Sequence, residues 1–430
     1  MDRRSFLTTG SGALAAPALL AQSSPSDKIG IAIVGAGTRG SYLLEQVQKC
    51  PDTEIRIICD LYDGNLQRAL HTSTNKKVEL TKDWEKAIAS KDIDAVVIAT
   101  PDFWHASMAV RAAQLKKHIY VEKGTCRTLQ EAKDIRSSVR QNRVTLQLGH
   151  HQNSDPTYIK ARESFQSGRL GKVALSRTYI DRTNAWPEWQ FYTRYDNQQV
   201  PPDANLQTID WERFQMASSV KTRFDAERFF RWRCWWEYGT GIAGDLMSHQ
   251  WDGVNLILGM GIPEAVQTMG GLYFWKQDRE VPDQWHVSFE YPKKQMNVTF
   301  ACTFHNRHHG TNTFIFGREG TIEVASDFCR LYDAEWKPGS SQKLAEARKR
   351  YAAAGLDPLT AVPEPDYNFK AGELKASSHQ QDWIDCLRSG RVPRCGMDRA
   401  WEEAVTIVMA VEAYFKERKV KWDPVNEQIV

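Results

Sequence analysis

The chain has 430 residues, 41% of them hydrophobic and 25% charged, with 56 basic against 53 acidic side chains and a net charge of +3. Those values exclude a disordered chain, a collagen and a small disulfide scaffold, and the length allows roughly two to three domains. No run of like charge reaches five or six residues, which argues against nucleic acid or an anionic membrane surface as a partner.

Residues 1–26 read as an address and a linker. Arg3-Arg4-Ser5-Phe6-Leu7 precedes a small-residue apolar stretch, Gly10 to Ala21, and a polar linker follows. This is the pattern of a twin-arginine export signal cut after Ala21, which predicts a periplasmic or extracellular protein. The apolar stretch is shorter than the about 20 residues that span a bilayer, so no membrane anchor is expected after cleavage. No two of the eight cysteines stand closer than nine positions, so no C-x-x-C zinc or redox site exists, and mostly free, buried thiols are expected.

Residues 27–149 alternate strand and helix. Ile29–Val34 is a β-branched run followed at once by Gly35-Ala36-Gly37-Thr38-Arg39-Gly40 and a helical pattern. In this order the first glycine permits the turn, the second admits a pyrophosphate, the third lets helix and strand pack, and the helix N-terminus attracts phosphate. A second strand, Glu54–Cys59, ends in Asp60, whose carboxylate suits both ribose hydroxyls and repels a 2′-phosphate, favouring NAD over NADP. Further strands end at Thr100-Pro101-Asp102-Phe103-Trp104-His105 and at Glu122-Lys123-Gly124, and Val144–Leu148 is the last. Parallel sheets of this kind bind ligands beyond their carboxyl strand ends. Thr100, Pro101, Trp104, His105, Glu122 and Lys123 therefore join the glycine loop (Gly35, Gly37, Thr38, Arg39, Gly40) and Asp60 as candidate cofactor contacts.

Residues 150–430 read as an α+β domain with a large open, mainly antiparallel sheet: strands near 173–181, 265–274, 284–291, 296–304 and 313–316, helices near 156–166, 242–258, 377–388 and 398–417. Residues 338–366 read as a surface insertion. Thirteen of the 15 Trp lie after residue 150, and the densest aromatic cluster, Phe229 to Tyr238, leads into Gly239-Thr240-Gly241. Aromatic faces stack on sugar C–H faces, which makes Trp232 and Trp236 candidate substrate contacts. His151 and Asn153, after the last strand of the first domain, are two more. His305 to His309 reads as a surface or interface loop, and no metal site is expected.

These pieces resemble the glucose–fructose oxidoreductase / inositol dehydrogenase (Gfo/Idh/MocA) family: Gly35 to Gly40, Asp60, Thr100-Pro101 to His105, Glu122-Lys123, then Gly239-Thr240-Gly241, Asp245 and His249, and finally His379 to Trp383 with Ser389-Gly390-Arg391. The resemblance spans about residues 28–425. It implies a doubly wound Rossmann domain plus the α+β domain, a carbohydrate or cyclitol substrate, a homo-oligomer, and three catalytic residues: Lys123, Asp245 and the acid/base His249. Asp245 and His249 stand four apart in a helical pattern, so the carboxylate is expected beside the imidazole, orienting it. Lys123 is expected to stabilise developing alkoxide charge. Two departures stand out. Gly124 replaces the family's proline after the lysine, and Thr240 interrupts its triple glycine.

The resemblance leaves two enzyme readings. One is an NAD-dependent oxidoreductase acting on a carbinol by hydride transfer, with tightly bound, recycled cofactor, since an exported protein meets little free nicotinamide. The other is an NAD-dependent glycoside hydrolase working by transient oxidation, elimination and re-reduction. A third reading is a non-catalytic sugar-binding protein, against which Lys123, Asp245 and His249 argue.

Overall fold

The computed structural model describes residues 28–189, 199–375 and 378–430. The export signal read in residues 1–26 lies outside the described residues, as does the start of the helix expected from residue 377. The first sheet has six strands: β1 Ile29–Val34, β2 Thr53–Cys59, β3 Glu79–Thr81, β4 Ala95–Ile98, β5 His118–Val121 and β6 Leu146–Leu148. They run parallel in the order β3-β2-β1-β4-β5-β6. Successive side chains of β1 face opposite ways. Ile31 and Ile33 enter one core with Leu43 and Leu44, and Ala32 and Val34 enter another with Phe103 and Met108. Burial on both faces is why this strand reads as a continuous apolar run.

The second sheet is built from β7 Val173–Asp181, β8 Ala265–Gly271, β9 Gln284–Tyr291, β10 Met296–Thr303, β11 Thr311–Gly317, β12 Gly320–Val324, β13 Phe328–Asp333, β14 Tyr367–Lys370, β15 Val420–Asp423 and β16 Gln428–Ile429. Its order is β14-β13-β12-β11-β7-β10-β9-β8-β15-β16, antiparallel except for the parallel pair β7 and β10. The stretch read as a surface insertion contains a helix, Ser340–Ala353, that buries only Ala347. The helix read across 242–258 opens instead with a π-helical turn, Ala243–Met247, before the α-helix Ser248–Leu258. Bulges of this type re-aim side chains and recur at functional sites.

The division at residue 149 separates the two sheets but not the layers that cover them. Trp383, Ile384 and Leu387 of the helix His379–Ser389 pack into the core beneath β1 and β5. The helix Met397–Phe415 lies between the helix Leu129–Asn142 and β8. All eight cysteines are free and buried. Among the described residues no helix is long and apolar enough to cross a membrane.

His379 fixes this interlock. Its Nε2 donates to the Leu148 carbonyl at 2.9 Å, and its Nδ1 accepts from the Ser154 hydroxyl at 3.1 Å. Burial lowers its pKa from 6.5 to about 4. The unfolded chain therefore takes up a proton near pH 6.5 that the folded chain excludes down to about pH 4. Stability is complete above that window and falls as the pH drops through it, by about 1.4 kcal/mol per pH unit for such a group. Burial lowers His118 and His249 in the same direction. Calorimetry at pH 7, 6 and 5 is expected to show a falling midpoint; a flat one contradicts this account.

Candidate active site

A cavity of about 560 Å³ lies beyond the carboxyl ends of β1, β2, β4 and β5. It runs from the glycine loop and Asp60 to Lys123, Asp245 and His249.

At the first end the three glycines have separable causes. Gly35 has φ +89°, and a Cβ there would stand 2.6 Å from the Ala99 carbonyl oxygen. A Cβ on Gly40 would stand 1.7 Å from the Gly35 carbonyl oxygen, so helix and strand pack through that position. A Cβ on Gly37 would meet only the Asn65 amide, at 3.9 Å, because it would point into the cavity. Gly37 also caps the helix Thr38–Val47 without a side-chain bond, which leaves the first N–H groups for an anion. The buried Asp60 carboxylate accepts from the Ala36 and Tyr62 N–H groups, at 2.7 and 2.9 Å, and from the Asn65 amide at 3.1 Å. Arg39 reaches across to Glu122 at 2.7 Å. Burial pushes the Glu122 carboxyl up, but Arg39 and then Lys123 outweigh it, so the pKa is lowered. An open glycine cradle at a helix N-terminus, with a fixed carboxylate one strand away, fits the pyrophosphate and ribose of a dinucleotide.

The Asp60 end is roofed by a segment of the second half. The Asp63 N–H donates to the Thr208 carbonyl at 3.0 Å, the Asp210 N–H to the Leu61 carbonyl at 2.9 Å, and the Trp104 indole to the Phe214 carbonyl at 3.2 Å. Trp84, Trp104, Phe214, Phe229 and Phe230 line this part of the cavity.

At the other end Asp245 gathers three donors. Lys123 Nζ lies 2.6 Å from its Oδ1 and 2.6 Å from its backbone carbonyl. Arg233 Nε donates to Oδ1 at 3.0 Å, and the buried Trp189 indole donates to Oδ2 at 2.8 Å. Burial alone would raise the Asp245 pKa, but Lys123 and Arg233 hold it well below the usual carboxylate range. Trp189 has φ +70°, an uncommon backbone for a bulky residue and one that clusters at functional sites.

His249 departs from expectation in its partner. No hydrogen bond joins it to Asp245 among the described residues; its Nδ1 lies 3.2 Å from the Gln152 side-chain oxygen. The Gln152 side chain is itself held by a hydrogen bond that its amide donates to the Tyr158 oxygen. Burial, then Lys123, His150 and His151, lowers the His249 pKa well below 6.5. With Nδ1 donating to an amide oxygen, Nε2 carries the lone pair.

Most residues read from sequence line this cavity: Gly35, Gly37, Thr38, Arg39, Asp60, Thr100, Pro101, Trp104, Glu122, Lys123, His151, Trp232, Asp245 and His249. Four do not, and each has a structural reason. Gly40 is the helix–strand contact. His105 is buried, its Nδ1 2.9 Å from the Gly124 carbonyl and its Nε2 2.8 Å from the Thr100 carbonyl, so it braces two strand ends. Asn153 points away, donating to Asp252 at 2.7 Å. Trp236 packs against Trp285, Tyr414 and Phe415. Neither departure from the family pattern opens or blocks the cavity. The Thr240 hydroxyl is bonded to Asp102 at 3.0 Å, and Gly124 packs against Gly244. Sequence reading missed Gln152, Arg182, Trp189, Arg233 and the roofing phenylalanines.

Comparison with known proteins places these features. Residues 29–150 match the oxidoreductase family with an NAD-binding Rossmann fold, GFO_IDH_MocA, and residues 213–422 match that family's C-terminal alpha/beta domain. An uncharacterized oxidoreductase of Bacillus subtilis, YrbE, is 31% identical over 44% of this chain and 54% of its own. The scyllo-inositol 2-dehydrogenase (NAD+) of the same organism is 28% identical over 36% of this chain and 45% of its own. A glycosyl hydrolase family 109 protein of Stenotrophomonas maltophilia is 33% identical over 31% of this chain and 32% of its own. The chain thus spans about half or less of the length of these curated relatives. A levoglucosan dehydrogenase solved with NADH and levoglucosan superposes with a TM-score of 0.65 over 92% of this chain and 99% of that one, at 17% identity, a likeness of fold.

The glycine geometry yields a paired expectation. Gly40→Ala forces the loop apart and lowers the melting midpoint. Gly37→Ala keeps the midpoint within a degree or so of the parent and loses nucleotide binding, because its methyl enters the cavity. Melting curves and nucleotide titrations of both variants check this; equal loss of stability in the two contradicts it.

Proposed function

The chain belongs to the Gfo/Idh/MocA oxidoreductase family, whose two domain models it matches, and from that premise we propose that it oxidises a carbinol of a sugar or cyclitol. The observation that carries this reading is one juxtaposition: a lysine fixed by a carboxylate, beside a neutral imidazole with an open nitrogen, at the far end of a dinucleotide cleft.

NAD would be held by the Gly35 to Gly40 loop at its phosphates and by Asp60 at a ribose. When bound, it supplies the hydride acceptor. The proton is the protein's part. His249, neutral at pH 7, presents Nε2 to accept the substrate hydroxyl proton. The Lys123 ammonium has three donors; two are spent on Asp245, and the third is left for the substrate oxygen, where a cation stabilises alkoxide charge. Asp245 stays ionised throughout and acts by placing Lys123.

The aromatic roof over the Asp60 end favours a resident cofactor over one that exchanges each cycle. Export by the twin-arginine route, inferred from Arg3-Arg4-Ser5-Phe6-Leu7, gives that retention a purpose. A homo-oligomer is inferred from the outer face of the second sheet, where Met269 is exposed and Phe314 stacks on Phe316. A second reading, net glycoside hydrolysis with the same cofactor, is favoured by the likeness to a glycosyl hydrolase family 109 protein.

Three outcomes are expected. Lys123→Ala and His249→Ala remain folded by circular dichroism and lose about a hundredfold or more in kcat; unchanged turnover in both contradicts the site. The acid limb of kcat/KM lies below pH 6.5, since the His249 pKa is lowered; a limb at or above 6.5 assigns the base elsewhere. Gently purified protein carries nucleotide that mass spectrometry detects only after denaturation, and empty protein needing added millimolar NAD removes the resident-cofactor reading. In that preparation, aglycone release from aryl glycosides selects the hydrolase, and NADH build-up with a free sugar selects the dehydrogenase.

A further inference from the structure

We propose that the substrate of this site carries an anionic group, a carboxylate or a phosphate on the sugar, and that Arg182 and Arg233 bind it. The inference rests on the oxidoreductase reading above and narrows its substrate class. Both arginines line the cavity beside Asp245 and His249. Arg233 uses its Nε on Asp245, and its guanidinium lies 4.2 Å from the Trp232 ring centroid, which holds the plane in place. Its two terminal nitrogens have no hydrogen bond among the described residues. Arg182 uses one terminal nitrogen on Glu188 at 2.9 Å, and its Nε and other terminal nitrogen are likewise uncommitted among the described residues.

The charges are layered. Lys123, Arg182, Arg233 and Arg39 are matched in number by Asp102 and Glu122, which also line the cavity, and by Asp245 and Glu188, which take the bonds of the two arginines. The Asp245 and Glu188 side chains are the more enclosed, 15% and 5% exposed, against 26% for Arg233 and 40% for Arg182. The guanidinium groups, rather than the carboxylates paired with them, are therefore turned toward the cavity, which attracts an anion locally.

Hydrogen-bond chemistry points the same way. A neutral polyol needs acceptors as well as donors. Asp245 already accepts from Lys123 and Arg233 at Oδ1 and from Trp189 at Oδ2, which leaves it one lone pair. His249 Nε2 is the acceptor assigned above to the reacting hydroxyl, and the uncommitted side-chain groups beside it, on Arg182 and Arg233, are donors. Guanidinium groups with free N–H pairs match the paired oxygens of a carboxylate or a phosphate, and Arg serves this better than Lys because the fork is rigid.

The test uses the nucleotide-loaded full chain and calorimetric titration with matched sets: methyl hexopyranosides of several configurations, the corresponding hexuronates and the corresponding hexose 6-phosphates. An acidic member is expected to bind at least tenfold tighter than its neutral counterpart, with the advantage shrinking as sodium chloride is raised. Whether the uronate or the phosphate leads identifies the anion. Arg182→Gln is expected to bring the acidic-to-neutral Kd ratio toward one, and Arg182→Lys, which keeps the charge and loses the fork, to give an intermediate ratio. Neutral sugars binding as tightly as both acidic partners overturn the proposal. Absorbance of the nicotinamide separates the two levels. A neutral sugar that binds best and reduces the cofactor removes this inference and keeps the oxidoreductase. Acidic sugars that bind best with the cofactor unchanged through repeated turnover assays remove the oxidoreductase and keep the anion site.

Discussion

The ion pair between Lys123 and Asp245 is the interaction on which the rest of the site depends. Lys123 stands at the end of β5 in the first sheet, and Asp245 in the π-helical turn that precedes the helix Ser248–Leu258 under the second. Both side chains are mostly enclosed, 12% and 15% exposed. Removing one partner of so enclosed a pair leaves a charge without compensation, a loss on the order of 3–5 kcal/mol. The pair therefore acts as a latch between the domains as well as a chemical device. Asp102 reinforces it by accepting from the Thr240 backbone and hydroxyl, and His105 by bracing the strand ends on either side of Lys123. The reacting groups meet only when the two sheets are docked.

The same pair sets the electrostatics around His249. The imidazole is buried beside the Lys123 ammonium and two other histidines, so protonating it in the free enzyme is unfavourable. The expectation that Asp245 would orient the imidazole fails because its carboxylate is turned to Lys123, Arg233 and Trp189. Gln152 takes the orienting role with an uncharged oxygen, which fixes the tautomer without stabilising the protonated ring. Work that one carboxylate was expected to do is thus divided. On the proposed reading, Asp245 holds a cation for alkoxide charge, and Gln152 keeps a neutral base aimed at the cavity.

What the sequence made legible follows from which constraints are local. The glycine loop and Asp60 could be read because each glycine answers to backbone neighbours a few residues away and the carboxylate to the end of the next strand. Lys123, Asp245 and His249 were found through a family pattern. Their mutual geometry was not, because a π-turn re-aims a helix in a way that i, i+4 counting cannot show. Gln152 sat unseen between His151 and Asn153 because residues 151–154 form a 3-10 turn, which sends alternate residues to faces other than those of a strand. Trp236 was misread for the opposite reason. In an aromatic run every ring looks equivalent, and only tertiary packing decides that Trp232 faces the cavity while Trp236 faces Tyr414. The two Trp of the first domain, Trp84 and Trp104, line the cavity, and of the thirteen after residue 150 only Trp232 does. Strands β12 and β13 were passed over because short pairs of mixed composition carry weak periodicity.

One stretch of chain, residues 205 to 233, joins the two ends of the cavity. Near its start Thr208 and Asp210 are bonded to the turn beside Asp60, and farther along Phe214, Phe229 and Phe230 cover that end. Three residues past Phe230, Arg233 grips Asp245 at the other end. A segment tied at both ends cannot lift away from the Asp60 end without pulling on the contacts that place the reacting groups. On the reading proposed for this protein, nucleotide retention and active-site assembly are therefore coupled through the same residues. On that reading, a nucleotide that enters before this segment settles would be packed beneath it, and lifting the segment to release it would strain the Arg233–Asp245 bond and the backbone bonds to Leu61 and Asp63. Such coupling is what the resident cofactor and the exported site proposed for this protein would need.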